Sequence, residues 1–487
     1  MRKVIELQME FWKKDISQIK FDIKSRDEIP KLLMGLQYIY STPKVRAEVF
    51  KILKSIVPIN KHKVGRPGMD LWKILVLGTL RLNCNWDFDK VHEMANNHTK
   101  LRQMLGHSKK DFDSFYALQT IRDNIALLTP QILDEINQVV IKAGHSIIKK
   151  DQDLKGSCDS FVVKTDVHYP TDTNLLFDAA RKMIFLIAII CSETGITVWR
   201  QSHHNISKVK RILRSIQKLK RSTSKYEDKK AQRDQFIVQA HQNYMDVCLG
   251  FVSKTKETIG ILRGLGILSI SQDLRLSTVE EYIRDAERQI DHIRRRVVLD
   301  EKIPHAEKVF SIFQPHTEWI SKGKAGVPQE LGLKVCILKD QYGFILHHQV
   351  MEQQTDEKVA VVMAQCAKDR FENLVGCSFD KGFYSPTNKG NLGKILDYVI
   401  LPKKGRLSAK DKKIEHSEEF VKSKRKHSAV ESSINALENH GLDRCLDHGL
   451  QGFKRYVALS VLARNIQILG HLIQQKELKR SRRRRAA

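Results

Sequence analysis

Cysteine is scarce and unpatterned in this sequence. The chain of 487 residues has eight cysteines, and no two of them form a CxxC pair or stand at a spacing typical of zinc ligands. Most lie among apolar residues, where a free thiol behaves as a small core side chain. This pattern argues against a disulfide-rich secreted domain and indicates a reduced, intracellular protein. The cysteines are at positions 84, 158, 191, 248, 336, 366, 377 and 445.

A long apolar run is also missing. The longest run extends from Met183 to Cys191, well short of the roughly 20 residues that a membrane-spanning helix needs. The N-terminus does not have the pattern of a secretory signal peptide, because Glu6, Glu10 and Asp15 stand among its apolar residues. We therefore expect a cytoplasmic protein.

Acidic residues are outnumbered by basic ones. The chain has 84 lysines and arginines against 56 aspartates and glutamates, which gives a net charge of +28. The segment from Lys476 to Arg485 holds seven cations and one anion, so six of these charges belong to a tail. The rest of the chain is still strongly basic, which favours a polyanionic partner such as DNA. A general role in solubility is the alternative.

Residues 1–150 have the periodicity of short helices. Apolar residues recur at helical spacing from Val45 to Ile56 and again from Leu71 to Leu80. Short helices with tight turns are typical of a helix-turn-helix module that reads the major groove, and equally of a bundle used for packing or dimerisation. Between the two stripes, Gly65-Arg66-Pro67-Gly68 resembles a minor-groove hook led by Arg66, although a plain turn before a helix has the same composition.

The remaining residues predict an α/β core that is interrupted by helices. Residues 151–200 show a strand pattern followed by a helix pattern. Residues 201–310 are charged and place apolar residues every three or four positions, which predicts an all-helical insertion. Strand patterns return in residues 311–472 and then alternate with helices, before a basic tail at 473–487. This order of elements matches a mixed-sheet, RNase H-like core interrupted after its first strand.

Three carboxylates stand where such a core would bring them together. Asp159 lies in the first strand pattern, Asp380 directly follows a short buried strand, and Glu431 lies on an amphipathic helix. Carboxylate oxygens are the ligands that Mg²⁺ prefers, and two Mg²⁺ ions can serve phosphodiester cleavage. A single aspartate beside a strand more often forms a turn or caps a helix, so the hypothesis depends on all three residues converging.

Two further aspartates compete for the first position of this set. Asp166 stands where the first strand could end, so the pattern alone allows it. Asp172 is expected to cap the helix that starts near Asn174. We favour Asp159 and keep Asp166 as the alternative.

Each carboxylate stands in a distinctive block of sequence. The blocks are Asp159-Ser-Phe-Val-Val with His168-Tyr-Pro-Thr-Asp172, Asp380-Lys-Gly-Phe-Tyr-Ser-Pro386, and Arg425-Lys-His-Ser-Ala-Val-Glu431 with Gly441-Leu-Asp-Arg444 and Leu462-Ala-Arg-Asn465. Together they resemble the DDE transposases of bacterial insertion sequences, and among these the ISNCY family. The likeness extends over most of residues 43–470.

One departure from related transposases concerns phosphate contacts. Many of them carry the signature Tyr-x2-Arg-x3-Glu-x6-Lys, but the positions around Glu431 hold Lys424, His427 and Glu438 instead. We therefore expect other basic residues near the site to contact DNA, with ordinary surface charge as the alternative for each. These candidates are Lys424, Arg425 and His427, Lys381 beside Asp380, Lys322 and Lys324 before the second strand, and Arg66 in the hook.

The resemblance implies a function. Such an enzyme binds double-stranded DNA at the terminal inverted repeats of its own element, nicks it to leave a 3′-hydroxyl, and joins that hydroxyl to target DNA. It implies catalytic and metal-binding roles for Asp159, Asp380 and Glu431, with two Mg²⁺ ions or Mn²⁺ as a substitute. It also implies N-terminal helices that read the repeats, an insertion that clamps DNA or a partner subunit, a synaptic homodimer, and a location at the bacterial nucleoid.

Two other functions are compatible with the same residues. A nuclease of the same fold would cut DNA without joining it, and a protein descended from a transposase would bind DNA without catalysis. Serine or tyrosine recombinase chemistry fits poorly, because no arginine-rich pocket for such a nucleophile is recognisable by spacing.

Overall fold

The chain folds into two compact units. The computed structural model describes residues 3–5, 14–57, 68–108, 115–148, 153–221, 223, 226–266, 268–321 and 328–486. The first unit combines Met1–Asp166 with Glu318–Ala487, and the second consists of Val167–Thr317. The second unit is therefore an insertion in the chain of the first.

The N-terminal part of the first unit is helical. In the described part of this region the helices are α1 (Glu28–Ser41), α2 (Pro43–Lys54), α3 (Leu71–Asn83), α4 (Phe88–Asn97), α5 (Thr99–Met104), α6 (Leu118–Ile125) and α7 (Pro130–Ile148). Asp27 caps α1, because its carboxylate accepts a hydrogen bond of 2.8 Å from the backbone N–H of Ile29. All residues of α3 except Lys73 are buried. Helix α3 is therefore a core helix and has no exposed face with which to enter a DNA groove.

The second unit is all-helical in the residues that the structure describes. Its long helices are α8 (Asp172–Glu193), α9 (Ser202–Arg221), α10 (Glu227–Gly264) and α11 (Ile270–Ile293). Apolar side chains of all four helices form one buried cluster. Two buried polar groups are satisfied inside it: Trp199 Nε1 donates to Thr258 Oγ1 at 3.0 Å, and the Tyr244 hydroxyl donates to the Thr173 carbonyl at 3.0 Å.

A mixed sheet of seven strands forms the centre of the first unit, counted over the described residues. The strands are β1 (Leu154–Thr165), β2 (Glu318–Ser321), β3 (Gln329–Lys339), β4 (Ile345–Met351), β5 (Leu374–Phe379), β6 (Tyr398–Ile400) and β7 (Arg444–Cys445). β1 is central: β3 lies antiparallel to it on one side, and β5 and β7 lie parallel to it on the other. β2 and β4 are antiparallel to β3, and β6 is parallel to β5.

Helices cover both faces of this sheet. Those that follow β4 are α12 (Asp356–Arg370), α13 (Pro386–Ile395), α14 (Ala409–Glu415), α15 (Glu418–His427), α16 (Ala429–Leu437) and α17 (Gly449–Ala486). Phe161 and Val163 share a buried cluster with the N-terminal helices, α16 and α17, whereas Cys158 shares one with α12 and α13. Because side chains alternate along a strand, Asp159 points to the face of Phe161, and Ser160 points to the face of Cys158.

Helix α17 is the long core helix of the first unit. Within the described residues it alone is long and apolar enough to cross a membrane, but 72% of its most apolar window is buried inside the protein. Asn465 lies in that buried part: its Nδ2 donates to Asn137 Oδ1 at 2.7 Å, and its Oδ1 accepts from the N–H of Ile345 at 2.9 Å. These contacts join α17 to α7 and β4. Its apolar surface therefore belongs to the core.

The mixed sheet with covering helices and the helical character of residues 201–310 are confirmed. Helix α8, which the pattern assigned to the 151–200 segment of the core, belongs to the second unit, because Ile184 and Ile187 pack in its cluster. The basic residues assigned to a tail at 473–487 continue helix α17 as far as Ala486. Strands β2 and β7 were not predicted.

Candidate active site

Strand register brings Asp159 and Asp380 together. The parallel pairing of β1 with β5 matches Ser157 with Ser378 and Cys158 with Phe379. Asp159 and Asp380 are the next positions on the two strands, whose backbones are about 4.8 Å apart in a sheet. Both side chains leave the sheet on the same face, since each lies two residues beyond a matched serine. Asp159 is partly buried, and Asp380 is exposed where β5 ends.

Glu431 lies in the first turn of α16, above the same face. Val430 and Leu437 bury one side of this helix in the core, which leaves Glu431 exposed. The start of the helix is tied to the sheet by Lys339, the last residue of β3, whose Nζ donates to the Ala429 carbonyl at 2.6 Å. Lys339 is only 8% exposed, so this bond replaces contacts that its ammonium group would otherwise make with water.

A second contact holds the end of α15, at a residue two strands away from Lys339 in the sheet. Ser378 Oγ donates to Ser157 Oγ at 3.0 Å and lies 3.0 Å from His427 Nδ1. Lys339, Ser157 and Ser378 are register partners on β3, β1 and β5, and we call them the docking row. The row lies one side-chain repeat before Asp159 and Asp380, and His427 lies one helical turn before Glu431. The docking row therefore holds the junction of α15 and α16 next to the positions of Asp159 and Asp380.

The carboxylates act on one another electrostatically. Burial raises the pKa of Asp159 from 3.8 to about 6, and the charges of Asp380, Asp356 and Glu431 add to the rise. The backbone N–H of Ser160 works against it by donating to Asp159 Oδ1 at 2.7 Å. A bound cation would relieve this repulsion, so the donor chemistry of the trio fits a hard divalent ion.

Within the described part of the chain, no three His, Cys, Asp or Glu side chains are arranged as a metal-binding group. The trio is close enough to interact through space and consists of oxygen donors only.

The side chain of His427 is partly buried, and its ring contacts Ser378 of the docking row. Burial lowers the pKa of His427, and Lys339 lowers it further, while Asp380 and Glu431 act in the opposite direction. Its Nε2 is buried and has no hydrogen-bond partner among the residues that the structure describes. The imidazole is thus held by its Nδ1 contact with Ser378. This contact fixes the end of α15, directly before the helix that carries Glu431.

Sequence reasoning missed Asp356, the first residue of α12. Its Oδ1 accepts from Ser160 Oγ at 2.6 Å, and its Oδ2 accepts from Lys334 Nζ at 3.1 Å. Ser160 and Lys334 lie on the face of the sheet opposite Asp159, so Asp356 reaches the site only through space. An acidic residue in the first turn of a helix is ordinary, and nothing local in the sequence distinguishes this one.

Each of the two rival aspartates has an arginine partner of its own. Asp166 is the first residue after β1, is exposed, and pairs with Arg444 at 3.3 Å. Asp172 belongs to the second unit, and the prediction that it caps its helix is wrong. Thr171 is the cap of α8, because its hydroxyl accepts from the N–H of Asn174, while Asp172 pairs with Arg296 at 3.3 Å.

The predicted DNA contacts fall into three groups: exposed residues, residues outside the described part of the chain, and His427, which is partly buried and contacts Ser378. Lys381, Lys424 and Arg425 are exposed, the first beside Asp380 and the other two on α15. Arg66, Lys322 and Lys324 lie outside the described residues.

Comparison with protein-family models, with curated proteins and with solved structures gives no match to this chain.

Proposed function

We propose that this protein is a DNA transposase of the DDE class, which binds the terminal inverted repeats of its own element and catalyses strand cleavage and strand transfer. The observation that carries this proposal is the register of β1 and β5. It puts Asp159 beside Asp380 on one face of the sheet, where α16 presents Glu431. Carboxylates that are remote along the chain and converge where the pairing of β1 with β5 ends suit phosphoryl transfer with divalent ions.

The sheet supports an RNase H-like core. Its order is β2, β3, β1, β5 and β6, with β4 also paired to β3 and β7 also paired to β1. β3 is antiparallel to β1, β2 and β4, whereas β5 and β6 run parallel to β1. Helices α12 and α13 precede β5 and β6, and α14–α16 follow. The second unit enters this order after β1.

The residues of the site have separate roles in the proposed reaction. Two Mg²⁺ ions, with Mn²⁺ as a substitute, would supply activation of the attacking oxygen and stabilisation of the leaving oxygen. Asp159, Asp380 and Glu431 would hold them. Lys381 lies beside Asp380 and offers a positive charge to a phosphate, while the docking row and His427 keep the helix of Glu431 in place.

The partners follow from the reaction. Double-stranded DNA is the substrate, both as element ends and as target, and the net charge of +28 favours its approach. The N-terminal helices would read the repeats through surfaces other than the buried α3. Two ends must be joined, so we propose a homodimer in the synaptic complex, located at the bacterial nucleoid.

The test uses the full chain and a supercoiled plasmid that carries the DNA flanking its own gene. With Mg²⁺ we expect nicks at defined positions and joined products, and Asp380→Asn should lower both by at least 100-fold, since it removes a metal ligand. Asp166→Asn is the matched control and should keep activity. Nicking without joining, even from pre-cleaved ends, would support the nuclease. Full activity of Asp380→Asn would remove the basis of the proposal.

A further inference from the structure

Helix α9 of the second unit is strongly basic and carries no acid. Its 20 residues include seven lysines and arginines and no aspartate or glutamate. Val209, Leu213 and Ile216 bury the opposite side in the core of the unit. Lys210, Arg211, Arg214, Lys218 and Arg221 are all exposed, and they fall within about 100° of one another around the helix. We call these five residues the α9 stripe.

Among the described residues the α9 stripe has no ion-pair partner, whereas other cations of the unit have one. None of its five residues forms a salt bridge to any described residue. By contrast, Lys256 pairs with Glu287 at 2.6 Å, Arg263 with Glu280 at 2.7 Å, and Arg275 with Glu193 at 2.6 Å. Like charges three and four positions apart, as at 211, 214 and 218, repel and destabilise a helix. A partner of opposite charge would remove that cost.

The dimensions of the stripe suit a phosphate backbone. From Lys210 to Arg221 the helix rises by about 16 Å, and one strand of duplex DNA carries a phosphate every 3.4 Å along its axis. A membrane surface fits less well, because an interfacial helix inserts an apolar face into lipid, and the apolar side of α9 is already buried in the protein.

We infer that the α9 stripe is a second DNA-binding surface, which grips the phosphate backbone of duplex DNA without reading its sequence. This inference rests on the proposed function for its partner, but it concerns a different unit of the chain. The stripe offers only lysine and arginine side chains to a partner. We therefore expect it to add affinity for any duplex and to make that affinity depend on salt.

The experiment measures binding of the full chain to a 30-base-pair duplex of arbitrary sequence, by fluorescence anisotropy from 50 to 400 mM salt without divalent ions. The stripe variant is Arg211→Gln with Arg214→Gln and Lys218→Gln. Its matched control is Lys256→Gln with Arg263→Gln and Arg275→Gln, which removes the same charges from paired positions of the same unit. The stripe variant should bind at least tenfold more weakly at 100 mM salt, and its slope of log affinity against log salt should fall by about 2.7.

A second measurement does not depend on the folding of a variant. In the wild-type chain, the duplex should protect Lys210 and Lys218 from acetylation and leave Lys256 reactive. Equal slopes for the stripe and control variants, or no protection, would overturn the inference. So would stripe-dependent binding to phosphatidylserine vesicles or to duplex RNA in place of DNA. Because no cleavage is measured, these outcomes are independent of the Asp380→Asn test.

Discussion

Asp159 is costly to ionise in the free protein. It is partly buried, and the other two carboxylates of the trio, Asp380 and Glu431, carry the same negative charge. Its folded-state pKa lies above the unfolded value, so the protonated form stabilises the fold. That contribution is complete below about pH 4 and is lost as the pH rises through about 6. The same ionisation is needed before the carboxylate can bind a cation.

Asp159→Asn should therefore stabilise the first unit at neutral pH without divalent ions. The gain over wild type should grow between pH 4 and pH 7 to at most about 3 kcal/mol, the free energy of a shift of this size. Urea unfolding in a chelating buffer measures it. Asp166→Asn, which changes an exposed aspartate directly after the end of β1, should change stability by no more than about 0.5 kcal/mol. A stability difference for Asp159→Asn that is flat with pH would contradict this account.

The sequence identified the three carboxylates of the site but not the residues that hold them in place. Asp159, Asp380 and Glu431 were identifiable because each stands in a distinctive local block. Lys339, Ser157 and Ser378 were not, since their importance depends on the register of three strands that lie far apart in the chain. Asp356 was missed for the same reason: its partners Ser160 and Lys334 are distant in sequence.

At the scale of elements, the junction of α15 and α16 depends on two side-chain bonds. Lys339 holds the start of α16, and Ser378 holds His427 at the end of α15. α15 is polar, and of its side chains only Phe420 is buried. Without these bonds, little apolar packing would fix where α15 meets the sheet.

His427→Ala should weaken metal-dependent nicking by about 10- to 100-fold, the usual effect of losing a group that orients a ligand. Raising the Mg²⁺ concentration should recover part of the loss, and DNA binding without metal should stay unchanged. His427→Asn can keep a donor near the Nδ1 position and should be less impaired. The control His416→Ala changes an exposed histidine near α14. An equal loss of nicking and of DNA binding would contradict a positioning role.

Helices α1 and α17 cross so closely that only glycine fits. A Cβ atom on Gly470 would lie 1.8 Å from the Lys31 carbonyl oxygen, and one on Gly35 would lie 2.2 Å from the Ile466 carbonyl oxygen. Both obstacles are backbone atoms inside helices, so neither can move without shifting a whole element.

Gly470→Ala should lower the free energy of unfolding of the first unit by about 3 kcal/mol, because it overpacks a rigid contact. Gly393→Ala in α13 is the matched control, since a Cβ there meets nothing within 4 Å. It should raise stability by about 0.5 to 1 kcal/mol. Urea denaturation of both variants measures the difference, and similar effects of the two substitutions would contradict the close crossing.

At the scale of the whole molecule, the second unit leaves and re-enters the first at neighbouring points. Lys164 on β1 and Glu318 on β2 both pair with Gly332, from opposite sides of β3. The two points are therefore about 10 Å apart, twice the spacing between strands. Such an arrangement lets a unit be inserted without changing the sheet that receives it.

Replacing residues 167–317 by five Gly and Ser residues should leave the first unit folded. Five residues can span more than 15 Å, which exceeds the gap. We expect a single cooperative transition within about 1 kcal/mol of that of the first unit in the full chain, measured by urea unfolding. Loss of cooperative unfolding would mean that the first unit needs the second.

The overall architecture was predictable only in part. Periodicity identified the strands around Asp159 and Asp380 and the helices of the insertion, because these patterns are local. The boundary of the second unit was not visible, since α8 follows β1 without a change in composition and only its packing assigns it to that unit.

The long gap between β1 and its sheet partners also affects how the chain is made. Gly332 follows Lys164 by 168 residues, and Phe379 follows Cys158 by 221. At about 5 to 20 residues per second, a ribosome needs roughly 10 to 30 s to deliver β3 after β1 has been synthesised. During translation the apolar central strand of the nascent protein therefore waits without partners, and we expect it to engage chaperones.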